Sequence, residues 1–150
     1  MDRAQLAQNI RALCAGETDA ITLMATMACE VHGADDRCSW TGFYRVVAPE
    51  LLKVGPYQGG HGCLAIPFSK GVCGAAARTG QAQLVTDVHA FPGHIACSST
   101  TESELVLPVF NKNKDLIAVF DLDSESTAAF TEDDVTFYQS LLDEIFSQTD

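Results

Sequence analysis

The hydrophobic positions of this chain change period partway along it. Over the first thirty-odd residues Ala4, Leu6, Ile10 and Leu13 recur at roughly helical spacing, and a second run, ITLMATMACEVHG, ends at Gly33, a residue suited to a helix C-terminus. Cys14 and Cys29 fall in these two runs and read as small core residues. From Cys38 onward, short aromatic and β-branched runs take over. WTGFYRVV (40–47) and ELLKVGPYQ (50–58), separated by a proline-containing turn, predict a hairpin. CLAIPF (63–68) predicts a short strand, GVCGAAARTG (71–80) an alanine-rich helix closed by Gly80, and QLV (83–85) another short strand. SELVLPVF (103–110) and DLIAVFDLD (115–123) are strong strands joined by the turn-forming NKNK. A last helix starts at Thr131, with Asp134 three residues on as a capping-box variant, and runs through TFYQSLLDEIF.

Helices, two strands, a helical crossover, a hairpin and a closing helix make an α+β layout with a mostly antiparallel sheet. The length of 150 residues suits a single domain over 1–150, and 47% hydrophobic with 19% charged residues is globular rather than disordered. A net charge of −11 removes nucleic acid and anionic membrane surfaces as partners, since both require a basic patch. With no apolar leader and no bilayer-length run, the expectation is a soluble, cytoplasmic protein. Six cysteines there start as free thiols rather than as a disulfide scaffold, and without a C-x-x-C pair no metal site is expected.

The segment HAFPGHIAC (89–97) concentrates the candidate chemistry. It is irregular and carries His89 and His94 before ending at Cys97, with Cys63 and Cys73 upstream. The thiolate is the reactive form of cysteine, and loops seldom need cysteine for packing, so Cys97 reads as a redox nucleophile, against the alternative of a buried loop-end residue. Cys63 follows Gly59-Gly60-His61-Gly62 and is either a mobile resolving thiol or an inward-packing strand residue. Cys73, between two glycines at a helix start, is either a thiol with a pKa lowered by the helix N-terminus or an ordinary core thiol. His61, His89 and His94 are thiol-activating bases or loop fillers, whereas His32 at a helix end is structural. Glu104 opens an apolar strand, and Asp121 and Asp123 alternate at the end of another, sharing one face. They are either solvated edge residues or a carboxylate group able to bind an amine and donate a proton. Trp40 and Tyr44 also share a strand face, as core or as a pocket wall.

The blocks WTGFY (40–44), GPYQG (55–59), IPFSKGVCG (66–74), DVHAFPGHIAC (87–97), SELVLP (103–108) and DLDS (121–124) together resemble the free methionine-(R)-sulfoxide reductases, enzymes built on a GAF domain. They run in order through about two thirds of the chain; MACEVHGADDRC (27–38) departs from the family pattern. The resemblance implies thiol-dependent reduction of free methionine (R)-sulfoxide, with no bound cofactor and with electrons from a thioredoxin-like dithiol protein. It implies Cys97 as the attacking cysteine, Cys63 and Cys73 as the other redox cysteines, and a sulfenic acid resolved to a disulfide, with Cys63 preferred as resolver. Glu104 is the favoured proton donor among the three acids, and Trp40, Tyr44, Asp121 and Asp123 are expected to bind substrate. A non-catalytic GAF ligand sensor and a simple thiol redox switch are the alternatives, and monomer and homodimer both stay open.

Overall fold

The structure is a computed structural model describing residues 1–150. Four helices and six strands follow one another as α1 (Arg3–Cys14), α2 (Ala20–Ala34), β1 (Trp40–Ala48), β2 (Leu51–Gln58), β3 (Ala65–Pro67), α3 (Gly71–Thr79), β4 (Gln83–Val85), β5 (Ser103–Phe110), β6 (Leu116–Ser124) and α4 (Glu132–Phe146). The strands form a single sheet in the order β3-β2-β1-β6-β5-β4, and every neighbouring pair is antiparallel. Side-chain alternation divides the sheet into two buried faces. Phe43, Leu105, Leu107, Phe120 and Leu122 join α1, α2 and α4 in the larger core. Tyr44, Val106 and Val119 face the other way, against Val72, Cys73 and Ala76 of α3. The sheet is thus the middle of three layers, and side chains on the α3 face lie under the long segment between β4 and β5.

Local sequence signals set the structure where one residue dominates the geometry. Gly80 closes α3 at φ 67° in the left-handed region. Asp134 Oδ2 accepts the Thr131 backbone N–H at 2.8 Å, as a capping side chain three residues into α4 should. Helices α1 and α2 differ from the sequence expectation. The buried stripe of α1 is Leu6, Ala7, Ile10 and Cys14; Ala4 is exposed and Leu13 is 61% exposed. Cys29 is likewise exposed on α2, not a core residue. Nor does Gly33 end α2. The helix continues to Ala34 and is capped at Asp35. That carboxylate is held by the Arg37 guanidinium at 2.7 Å and the Tyr138 hydroxyl at 2.8 Å, so a long-range clamp ends the helix instead of a glycine. Arg37 also donates to Asp134 at 2.8 Å, tying the α2–β1 connection to the start of α4. CLAIPF is a strand only over Ala65–Pro67, because Cys63 is drawn toward the loop ending at Cys97.

Gly42 on β1 is a steric requirement of this layer. A Cβ there would stand 2.4 Å from Tyr57 Cβ and 2.6 Å from the Trp40 ring. Because the first of these is a fixed atom near the backbone of β2, the hairpin itself must shift. Gly42→Ala is expected to cost about 1–3 kcal/mol, the usual range for overpacking. Urea denaturation checks it, and a variant as stable as the parent would refute the packing account.

Candidate active site

The register of the central strands assembles an acidic group that is far apart in sequence. Glu104 on β5 stands opposite Asp123 on β6, and Val106 opposite Asp121. On the other side of β6, Asp123 pairs with Trp40 and Asp121 with Gly42 of β1. By alternation Glu104, Asp121 and Asp123 therefore emerge on the α3 face, in line with Trp40 and Tyr44. They are not solvated edge residues. Glu104 and Asp121 are 6% and 4% exposed, and Oδ1 atoms of both aspartates lack a hydrogen-bonding partner.

Three carboxyl groups shielded from water cannot all ionise. Burial, with the charge of Asp123 next, pushes Glu104 well above the usual carboxylate range. Asp121 is driven up by burial and then by Asp123 and Glu104, while burial raises Asp123 to about 6. Cys73 Sγ lies 4.0 Å from Glu104 Oε1. Its thiol is pushed well above normal by burial and by Asp121 and Glu104, which corrects the expectation of a pKa lowered by the helix N-terminus. At this position the carboxylates and lost hydration outweigh the helix dipole, so Cys73 is a neutral thiol facing the acids.

The segment from Asp87 to Thr101 covers this group. Asp87 caps a single turn of 3-10 helix (Val88–Ala90) by accepting the His89 N–H at 3.0 Å, and Gly71 donates to Gly93 O at 3.1 Å. Cys97 arrives over the acids and is joined to Cys63 in a disulfide with Cα atoms 5.3 Å apart. Beneath it is a cavity of about 30 Å³ lined by Tyr44, Cys73, His94, Cys97, Glu104, Asp121 and Asp123, among others. His94 Nε2 is 3.9 Å from Glu104 Oε2, and burial, then His89, lowers its pKa, so the ring is neutral at pH 7. The other histidines stand elsewhere. His89 pairs with Glu102 at 3.3 Å outside the cavity, His61 is exposed, and His32 shares a hydrogen bond of 2.9 Å with Thr41. Trp40 does not line the closed cavity; its indole N–H donates to Gly60 O at 2.8 Å, and its ring stacks on Tyr44 and Tyr57. It braces the glycine-rich loop that delivers Cys63. Thr101 and Ser98, which no sequence signal marked, complete the wall.

A six-stranded antiparallel sheet with three helices on one face, and with α3 and a loop-covered site on the other, is the architecture of a GAF domain. The chain belongs to that family, whose model, described as GAF domain, matches residues 14–145. It is 37% identical to the free methionine-R-sulfoxide reductase of Escherichia coli (strain K12) over 98% of this chain and 90% of that protein. The X-ray structure of free methionine-R-sulfoxide reductase from Neisseria meningitidis in complex with its substrate superposes with a TM-score of 0.90, at 37% identity, over 97% of this chain and 89% of that one. A structure of fRMsr of Staphylococcus aureus in the reduced form reaches a TM-score of 0.92 at 34% identity, over 98% and 94%. Within the GAF domains, this chain belongs to the free methionine-R-sulfoxide reductase family.

Proposed function

We propose that this protein reduces free L-methionine (R)-S-oxide to methionine. The observation that carries the reading is the placement of Cys97 in one cavity with Glu104, Asp121 and Asp123, whose carboxyl groups are shielded enough to hold protons above the usual carboxylate range. Sulfoxide reduction needs a thiolate aimed at sulfur and an acid aimed at oxygen, because oxide is too basic to leave unprotonated. The Cys97 thiolate attacks the sulfoxide sulfur while Glu104, or a neighbouring carboxyl, gives its proton to the oxygen. Methionine departs, and the oxygen stays on Cys97 as a sulfenic acid. The Cys63 thiol condenses with it, releasing water and forming the disulfide that an external thioredoxin-like dithiol protein reduces. No bound cofactor takes part in this scheme. The ionised remainder of the carboxylate group pairs with the substrate's α-ammonium, which favours a free amino acid over a peptide. Tyr44 and the Trp40 it stacks on bound the S-methyl end and select the diastereomer by shape.

Product analysis tests this directly. The reduced protein, given racemic methionine sulfoxide and dithiothreitol, should consume the R diastereomer and leave the S. Absence of methionine, or consumption of S, overturns the assignment. Absence of methionine together with a peroxide-induced disulfide would leave a redox switch.

In its disulfide form the sulfur of Cys97 is bonded to Cys63 and the cavity beneath it is small, about 30 Å³. Substrate therefore enters after the Cys63–Cys97 bond opens and the loop over residues 91–101 lifts. Hydrogen exchange of that loop should quicken on reduction of the disulfide, and unchanged exchange would count against the opening step. Peptide mapping of protein oxidised by its substrate should recover Cys63 joined to Cys97; a Cys73–Cys97 peptide would reassign the resolver.

A further inference from the structure

The disulfide lies in an unusual stretch of an acidic surface. The chain carries twenty Asp and Glu against nine Lys and Arg, yet its two longest stretches without any of these are 54–69 and 88–101. Cys63 sits in the first and Cys97 in the second, and their bond brings the two stretches together. Beside Cys63 stands Leu64, 77% exposed and the most exposed large hydrophobic side chain of the protein. Ala65 and Ala96, next along the two stretches, are exposed as well. A bulky apolar side chain left in water at a reactive bond, in stretches that carry no carboxylate and have Lys53 as the charge paired across from Ala65, has the composition of a contact surface.

We propose that the surface around Leu64 is the docking face for the reducing partner, a dithiol protein whose attacking cysteine is framed by apolar surface, and that this partner attacks Sγ of Cys63. The inference rests on the reductase reading above for its purpose. The attacking species is an anion, and an anion approaching a chain of net charge −11 is least opposed where no carboxylate stands. The two sulfurs differ in that respect. Cys97 lines the cavity with Glu104, Asp121 and Asp123, whereas Cys63 lies outside that lining. The partner's thiolate bonds to Cys63 Sγ as the Cys63–Cys97 bond breaks, and the electron pair leaves on Cys97 as a thiolate facing the cavity. The partner's second thiol, deprotonated, then attacks the mixed disulfide and releases the Cys63 thiolate, which takes up a proton. The partner leaves oxidised by two electrons and this protein is reduced by two.

The experiment starts from protein oxidised with diamide, so no sulfoxide turnover is needed. Reduced thioredoxin is mixed with it, and the second-order rate of disulfide loss is followed. Leu64→Asp is expected to lower that rate by about tenfold or more, because a charge would be desolvated at the contact. Reduction of the same variant by dithiothreitol should match the parent. Leu13→Asp, a comparably exposed site elsewhere, should leave both rates alone. Thioredoxin with its resolving cysteine changed to serine should be trapped on Cys63. Equal thioredoxin rates for Leu64→Asp and parent, an equal loss with dithiothreitol, or trapping on Cys97 each overturns the proposal. Failure of the methionine sulfoxide assay would sink the reductase reading while leaving these exchange rates measurable.

Discussion

Cys97→Ser is expected to abolish methionine formation, with a loss on the order of a thousandfold or more, because a serine hydroxyl is a far weaker nucleophile near neutral pH and nothing else over the acids can replace it. The other thiol at the cavity, Cys73, is held neutral by burial and by Asp121 and Glu104, so it does not substitute. Methionine produced per protein molecule in a single turnover is the measurement, and retained turnover removes Cys97 from the mechanism. The fold must be compared with care. A disulfide whose cysteines are separated by 34 residues is worth about 3–4 kcal/mol in the chain-entropy picture, so the variant should match the reduced parent in stability, not the oxidised one.

The sheet strands were legible because their signals are local. Alternation in SELVLPVF and DLIAVFDLD fixes which residues share a face, and the NKNK turn joins the two strands as a hairpin. From alternation alone Asp121 and Asp123 had to face the same way. What alternation does not say is what covers that face. The burial of the acids depends on α3 and on the loop ending at Cys97, elements that lie against the sheet only in three dimensions, so a solvated edge and a buried acid cluster look alike in sequence. The Cys63–Cys97 partnership came from the family resemblance rather than from spacing, and their Cα separation of 5.3 Å now gives it a geometric footing.

Residues acting through distant partners stayed hidden. Arg37 joins Asp35, two positions before it, to Asp134, 97 positions after it, and nothing near it in sequence announces the second contact. Trp40, expected from its strand face as core or pocket wall, also braces the Gly60 loop, a contact set by a carbonyl twenty residues away. Cys73 shows local physics losing outright: a helix start favours thiolate, and burial, followed by Asp121 and Glu104, overrules it.

Glu104→Gln should show two opposite effects at once. Burial and then Asp123 push the Glu104 pKa well above the usual carboxylate range, which suits it to give a proton to the sulfoxide oxygen, as the amide cannot. A fall in kcat of about a hundredfold to a thousandfold is expected, with a smaller change in KM, as for loss of an interaction made in the transition state. The alkaline limb of the rate profile, where the acids lose their shared proton, should weaken or move, since that limb belongs to the coupled set. Stability should move the other way. A carboxyl whose folded pKa is raised binds its proton more tightly in the folded state, so its contribution is favourable below the unfolded value of roughly 4 and is lost as pH climbs through the folded value. For Asp123 that value is about 6. The parent should therefore lose stability between about pH 4 and 7, and Glu104→Gln, with one fewer group to ionise, should lose less and be the more stable protein at pH 7. Urea denaturation across that range reads the second effect, and steady-state kinetics on free methionine sulfoxide reads the first. An unchanged kcat ends the donor assignment to Glu104 and passes it to whichever of Asp121→Asn and Asp123→Asn shows the drop; an unchanged pH slope of stability would mean that the three carboxyls do not share one buried proton set.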